Sequence, residues 1–103
     1  MVSETFLMPL EKIFQASIAA LREMNFIILF GDANTGAIKA KPGPKCKFKH
    51  SELEGKITTD NFKTHTVTIE CVAKIMFGLA NPFKDFSDEE FEIMKAIKAE
   101  AKK

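Results

Sequence analysis

Apolar and polar side chains alternate over residues 64–77, the longest run of this kind in the chain. The apolar positions of the run are Val67, Ile69, Cys71, Ala73, Ile75 and Phe77. The intervening positions begin with Thr66, Thr68 and Glu70, and Val72 and Met76 interrupt the polar set further along. Because successive side chains of a strand point to opposite faces of a sheet, this run predicts a long strand with one buried face. A sheet with one buried face must be covered by a second layer.

Four other segments carry strand signals. Residues 26–30 are five consecutive apolar residues, which predicts a central strand. Residues 37–41 and 51–59 alternate, which predicts strands with one solvated face. A short strand is also expected at residues 4–8.

Two segments have the apolar spacing of amphipathic helices. Residues 9–24 begin with a proline, which suits a first helical turn, and end before Asn25, which is placed to close the helix in a left-handed conformation. The apolar stripe of this helix is Leu10, Ile13, Phe14, Ser17, Ile18, Leu21 and Met24.

The second helix has a start signal at Ser87. Ser87 and Glu90 have the spacing of a capping box, and Phe86 and Phe91 have the spacing of a hydrophobic staple. The acidic residues at 88–90 favour the positive end of the helix dipole. The stripe expected to be buried is Ile93, Met94, Ile97 and Ala101.

Together these elements predict one α+β domain over residues 1–103. The architecture is a two-layer sandwich, in which two helices cover one face of an antiparallel sheet of about five strands, in the order β-α-β-β-β-β-α. Ten Phe residues and no Trp or Tyr give this core few polar groups.

The glycine-bracketed segment GDANTG, residues 31–36, contains the residue types of phosphate and calcium loops. No Lys-Ser/Thr pair follows Gly36, and the position of a twelfth calcium ligand is Gly43, which has no side chain. We therefore interpret the segment as a hairpin turn, in which Gly31 and Gly36 supply positive φ and Asp32 and Asn34 bond to the backbone.

A basic segment lies between residues 39 and 49, with five lysines and no acidic residue. Alternation places Cys46, Phe48 and His50 on its other side. The lysines are candidates for an anion or nucleic-acid contact, although we favour a solvated sheet face because arginines and stacking aromatics are missing there. The candidate residues are Lys39, Lys41, Lys45, Lys47 and Lys49.

Candidate chemistry is confined to Cys46, His50, His65 and Cys71. Two Cys and two His suit zinc by type, but no Cys-x2-Cys pair is present. In an extended chain Cys46 and His50 would be roughly 13 Å apart, too far to share one ion. Cys71 is expected to be buried, where a thiol is inert. We therefore expect no metal, no cofactor and no catalytic residue.

Several of these features together resemble small helix-grip domains. They are a helix with Ala16 and Leu21, an exit through Asn25 and Phe26, a hairpin with Asp32-x3-Gly36-x-Ile38-x-Ala40, a long alternating strand and a C-terminal helix. Such domains occur in bacterial outer-membrane assembly lipoproteins and in families of unknown function. The resemblance implies a fold, and it carries no catalytic residue. No lipidated cysteine or signal peptide is recognised, so an envelope role is not expected.

The sequence thus favours a non-enzymatic interaction module, with a protein partner or a second copy of itself. An alternative is a carrier of a small apolar ligand, and a second alternative is nucleic-acid binding by the lysines. Candidate interaction or pocket residues are Met76, Phe77, Phe83, Phe86 and Met94. A net charge of +1 gives no global attraction for nucleic acid, and no apolar run is long enough to span a membrane. We expect a cytoplasmic protein.

Overall fold

The computed structural model describes residues 1–48, 51–60, 63–73 and 86–103. Its elements follow one another as strand, helix, four strands and helix. They are β1 (Val2–Leu7), α1 (Leu10–Glu23), β2 (Phe26–Asp32), β3 (Ala37–Pro42), β4 (Ser51–Thr59), β5 (Thr64–Ala73) and α2 (Ser87–Ala101). This is the α+β architecture and the element order that the sequence predicts. The first strand begins two residues earlier than expected, and the first helix begins one residue later.

The five strands form one antiparallel sheet in the order β1-β5-β4-β3-β2. The central pair is β4 and β5, which are in register from Ser51 opposite Ala73 to Thr59 opposite His65. Along β4 the buried residues are Ser51, Leu53, Gly55 and Ile57, and the residues between them are exposed. The sheet therefore has one dry face and one solvated face, as alternation in the sequence predicts.

Both helices contribute to a single core against the dry face. Helix α1 packs against α2 and β2, and α2 packs against β1 and β5. The largest side chains that are almost completely buried include Ile13 and Leu21 of α1, Ile69 of β5, and Ile93 and Ile97 of α2. The stripe predicted for α2 is confirmed, because all four of its members are buried.

Strand β2 lies at an edge of the sheet, so its prediction as a central strand is wrong. Phe26 is buried, but Ile27, Leu29 and Phe30 are exposed. A continuous apolar run indicates burial on both faces only when strands flank it on both sides. Here only β3 does so, and the register with β3 shifts between Ile28 and Phe30.

The segment between β2 and β3 is a hairpin turn, as predicted. The backbone amide of Asn34 donates to Asp32 Oδ1 at 2.9 Å, and the backbone amide of Gly36 donates to the Asp32 carbonyl oxygen at 2.7 Å. Gly36 has a φ of 75°, in the left-handed region. Gly31 lies within β2 and does not have the positive φ expected of it.

The two helix ends with sequence signals differ in outcome. Asn25 adopts a φ of 68° after α1, which confirms the predicted left-handed closure. At the start of α2, Phe86 is the N-cap and Ser87 is the first helical residue, so the predicted capping box is wrong. Both oxygens of Glu90 bond to other parts of the chain. Phe91 is 65% exposed, so it does not staple the helix start.

Residues 43–48 are not a strand, yet Cys46 and Phe48 are buried while Lys45 and Lys47 are exposed, so the alternating burial holds without sheet pairing. The far part of the alternating run, residues 74–77, lies outside the described residues. Neither helix in the described part of the chain is long and apolar enough to cross a membrane.

Candidate interaction surfaces

The two thiols and the one imidazole among the described residues are buried, and each has its own contacts. Cys46 Sγ lies 3.9 Å from the Phe48 carbonyl oxygen. His65 Nδ1 lies 2.9 Å from the Met8 carbonyl oxygen. His50 lies outside the described residues. The pKa of the Cys71 thiol is raised to about 12, mainly because burial disfavours the thiolate and also because the negative charge of Glu90 lies near it.

Both thiols should therefore react slowly in the folded protein. At pH 8 we expect iodoacetamide to alkylate native Cys46 and Cys71 about a hundredfold more slowly than the same thiols in urea, because both thiols are buried and the raised pKa of Cys71 also suppresses its thiolate. Mass spectrometry of time points measures both rates. Rapid alkylation of Cys71 in the native protein would contradict its burial.

A buried carboxylate joins three elements near the start of α2. Glu90 is 3% exposed. Its Oε1 accepts from the Met1 ammonium at 2.7 Å, and its Oε2 accepts from the Cys71 backbone amide at 2.8 Å. Beside it, Ser51 Oγ donates to Glu89 Oε2 at 3.1 Å. The cluster ties α2 to β1, β4 and β5 and satisfies groups that burial would otherwise leave unpaired.

The candidate lysines are spread over different surroundings. Lys39 and Lys41 lie on β3, where Lys39 is opposite Glu54 of β4. Lys47 pairs with Glu92 of α2 at 3.1 Å, and its Nζ lies 5.5 Å from the centre of the Phe48 ring. Lys45 is exposed in the turn after β3, and Lys49 lies outside the described residues. Nucleic-acid binding by this set stays a prediction.

The candidate aromatic and methionine residues are only partly described. Phe86 and Met94 are 6% and 2% exposed, so both belong to the core. Met76, Phe77 and Phe83 lie outside the described residues. Among the described residues, the exposed large apolar side chains are found at other positions, above all on β2.

The β2 apolar edge consists of Ile27, Leu29 and Phe30. These side chains are 43%, 57% and 50% exposed. Ile27 and Phe30 are opposite Lys41 and Lys39, which are exposed on the solvated face, so these two side chains lie along the outer border of that face, and Leu29 lies between them at the register shift. Edge strands usually carry charges or prolines that oppose association, and this one carries apolar groups.

A second surface, the β1–α2 groove, runs along the opposite edge of the sheet. Two adjoining cavities of about 620 and 260 Å³ share Glu4, Lys98 and Lys102. The larger cavity is also lined by Val2, Phe91 and Met94, and the smaller one extends along β1 to Met8. The groove therefore follows the full length of β1.

Neither surface was identified from the sequence. For the groove a signal was present, because Lys95, Lys98 and Lys102 recur at three and four residues and so share one side of α2. For the β2 apolar edge no sequence signal was present, because an apolar run has the same pattern in a central strand and in an edge strand.

No protein-family model matches this sequence, and the curated proteins include no significant match to it. The resemblance to helix-grip domains stays a prediction from the order of the elements. Function is therefore inferred from the exposed surfaces.

Proposed function

We propose that this domain is a non-enzymatic protein-interaction module that forms a two-fold dimer through the β2 apolar edge. The observation that carries the proposal is the exposure of three large apolar side chains on one edge strand. Contiguous apolar surface of this kind, bordered by polar residues, is typical of protein contacts.

The irregular backbone of β2 favours contact through side chains. The register shift between Ile28 and Phe30 interrupts the regular hydrogen-bonding pattern of the strand. A bulge of this kind hinders the addition of another strand. The side chains of Ile27, Leu29 and Phe30 are then the groups that a partner can cover.

The charges at the two ends of β2 suit a second copy of the chain. Lys41 lies opposite Ile27 at one end, and Asp32 lies at the other end. When two copies of β2 cross antiparallel about Leu29, the Lys41 end of one copy meets the Asp32 end of the other. A two-fold contact is self-complementary in this way, with an apolar centre and charged ends.

Leu29→Lys should weaken self-association. Covering a leucine contributes about 1.5–3 kcal/mol, so we expect the dimer dissociation constant to rise at least about tenfold in the variant. Sedimentation equilibrium over a range of micromolar concentrations measures it, since the dimer has twice the 11.5 kDa mass of one chain.

Leu7→Lys provides the matched control. Leu7 is 74% exposed on β1, the opposite edge of the sheet, so the same change there should leave the dissociation constant within about twofold. A wild-type protein that stays at 11.5 kDa at these concentrations would refute the dimer. Equal effects of the two substitutions would refute the β2 contact.

A further inference from the structure

The β1–α2 groove borders a strand that pairs on one side only. β1 is the terminal strand of the sheet and is hydrogen-bonded to β5. The groove continues along this strand from Val2 to Met8, a distance of roughly 20 Å at the rise of extended chain. Its shape therefore suits an elongated occupant.

We propose that this groove binds an extended acidic peptide of a partner protein, which adds to β1 as a further antiparallel or parallel strand beside α2. The site is on the opposite edge of the sheet from the β2 apolar edge, and it does not depend on the self-association proposed above.

The backbone of β1 supplies the first part of the recognition. Alternate residues of an edge strand direct their N–H and C=O groups away from the sheet. A peptide in extended conformation can bond to these groups, and recognition by strand addition next to a helix needs no particular side chains for this step. Unlike β2, β1 is in continuous register with its neighbour from Val2 to Leu7, so its edge has regular spacing.

Apolar side chains of the groove supply the second part. Phe91 of α2 is 65% exposed, and it lines the groove together with Val2, Met94 and Ala99. Alternate side chains of an added strand point toward the same face of the sheet as Val2, where α2 lies. Apolar residues at those positions of the peptide would cover the Phe91 ring.

Lysines supply the third part and set the charge of the peptide. Lys95, Lys98 and Lys102 border the groove. Lys98 pairs with Glu4 at 3.5 Å, whereas Lys95 and Lys102 have no ion pair within the described part of the chain. Two unneutralised cations and a single acidic residue along the groove favour a partner with carboxylates.

The open side of the groove favours a peptide over a lipid-like ligand. Both cavities are partly open to solvent, and neither is an enclosed pocket. A fatty acid chain gains affinity by full burial of its methylene groups. An added strand can leave its outer side hydrated.

The test uses a defined peptide probe. A fluorescein-labelled peptide of sequence Val-Thr-Glu-Thr-Val-Thr-Glu-Thr, which directs both its valines and its glutamates toward α2, is titrated with the full chain and followed by fluorescence anisotropy. We expect a dissociation constant in the micromolar range. We also expect bound peptide to slow hydrogen exchange of the β1 amides about tenfold, with no slowing at the β2 edge. The same peptide with alternate N-methylated amides should not bind.

Variants test the side chains of the groove. The double change Lys95→Glu and Lys102→Glu should weaken binding at least about tenfold. The double change Lys12→Glu and Lys56→Glu alters the net charge equally at exposed positions outside the groove and should change binding by no more than about twofold. Ala99→Trp, at an exposed position that lines the groove, should block binding while the circular dichroism spectrum is retained.

Three outcomes would overturn the proposal. The first is no binding of the peptide at millimolar concentration. The second is binding that Lys95→Glu with Lys102→Glu leaves unchanged, or that leaves hydrogen exchange in β1 unchanged. The third is binding of sodium dodecanoate without binding of the peptide, which would assign the groove to a lipid-like ligand.

Discussion

Replacing Gly36 with alanine is expected to lower the free energy of unfolding by about 3 kcal/mol or more. Gly36 has a φ of 75°, where a side chain strains the backbone. A Cβ atom at this position would also collide with the Ile57 carbonyl oxygen and lie 2.9 Å from Ile57 Cβ. The Ile57 amide donates to the Gly36 carbonyl oxygen at 2.9 Å, so β3 and β4 are held together at this point and cannot separate freely.

Urea unfolding followed by circular dichroism measures the loss, and Gly31→Ala is the matched control. A Cβ at Gly31 would lie 3.3 Å from the terminal carbon of the half-buried Phe14 ring, and this side chain can move by a few tenths of an ångström. We expect Gly31→Ala to cost less than about 1 kcal/mol. Equal losses in the two variants would show that the collision at Ile57 is relieved without cost.

Glu90→Ala is expected to lower the free energy of unfolding by about 2–4 kcal/mol. The Glu90 carboxylate accepts from the Met1 ammonium and from the Cys71 amide. Its removal leaves the Cys71 amide, which lies in a buried part of β5, without this acceptor. An unpaired buried donor costs the full loss of its hydration, and the charge-assisted bond to Met1 is lost as well.

Two further variants distinguish the loss of the buried Glu90 carboxylate from the loss of any acidic side chain on α2. Glu92→Ala removes a half-exposed partner of Lys47 on the same helix and should cost less than about 0.5 kcal/mol. Glu90→Gln keeps an oxygen that can accept from the Cys71 amide, so we expect a loss intermediate between those of the two alanine variants. A Glu90→Ala protein as stable as Glu92→Ala would contradict the bridging role of this carboxylate.

The two edges of the sheet carry different chemistry, which is why we propose different partners for them. The β2 edge is irregular and apolar, so it offers side chains to a second copy. The β1 edge is regular and lies beside the lysines of α2, so it offers backbone groups and positive charge to a peptide. A single small domain could therefore bind a ligand peptide and dimerise at the same time.

Local pattern was sufficient for the buried face of β5 and for two of the three residues predicted in the left-handed region, Gly31 being the exception. The alternation around Val67 and Ile69 predicted the buried face of β5 correctly. Asn25 and Gly36 were predicted in the left-handed region, and both adopt it. These signals depend on sterics within a few residues, and the tertiary structure does not alter them.

Pattern failed where two explanations for the same residues competed. The acidic residue three positions after Ser87 has the spacing of a capping box, but Glu90 instead bonds to Met1 and Cys71, which are distant in sequence. A buried cluster of several elements gives this carboxylate more hydrogen bonds than a local cap would. Phe91, which has the spacing of a hydrophobic staple, is exposed and lines the groove instead.

Composition and periodicity by themselves determined the α+β class, the element order and the dry face of the sheet, since each depends on which side chains must leave water. Only the tertiary structure decided that β1 and β2 are the two edges. Strand order arises from long-range pairing, and residue spacing along the chain does not encode it. The two surfaces proposed to bind partners lie at these edges. The functional proposals therefore rest on the tertiary structure.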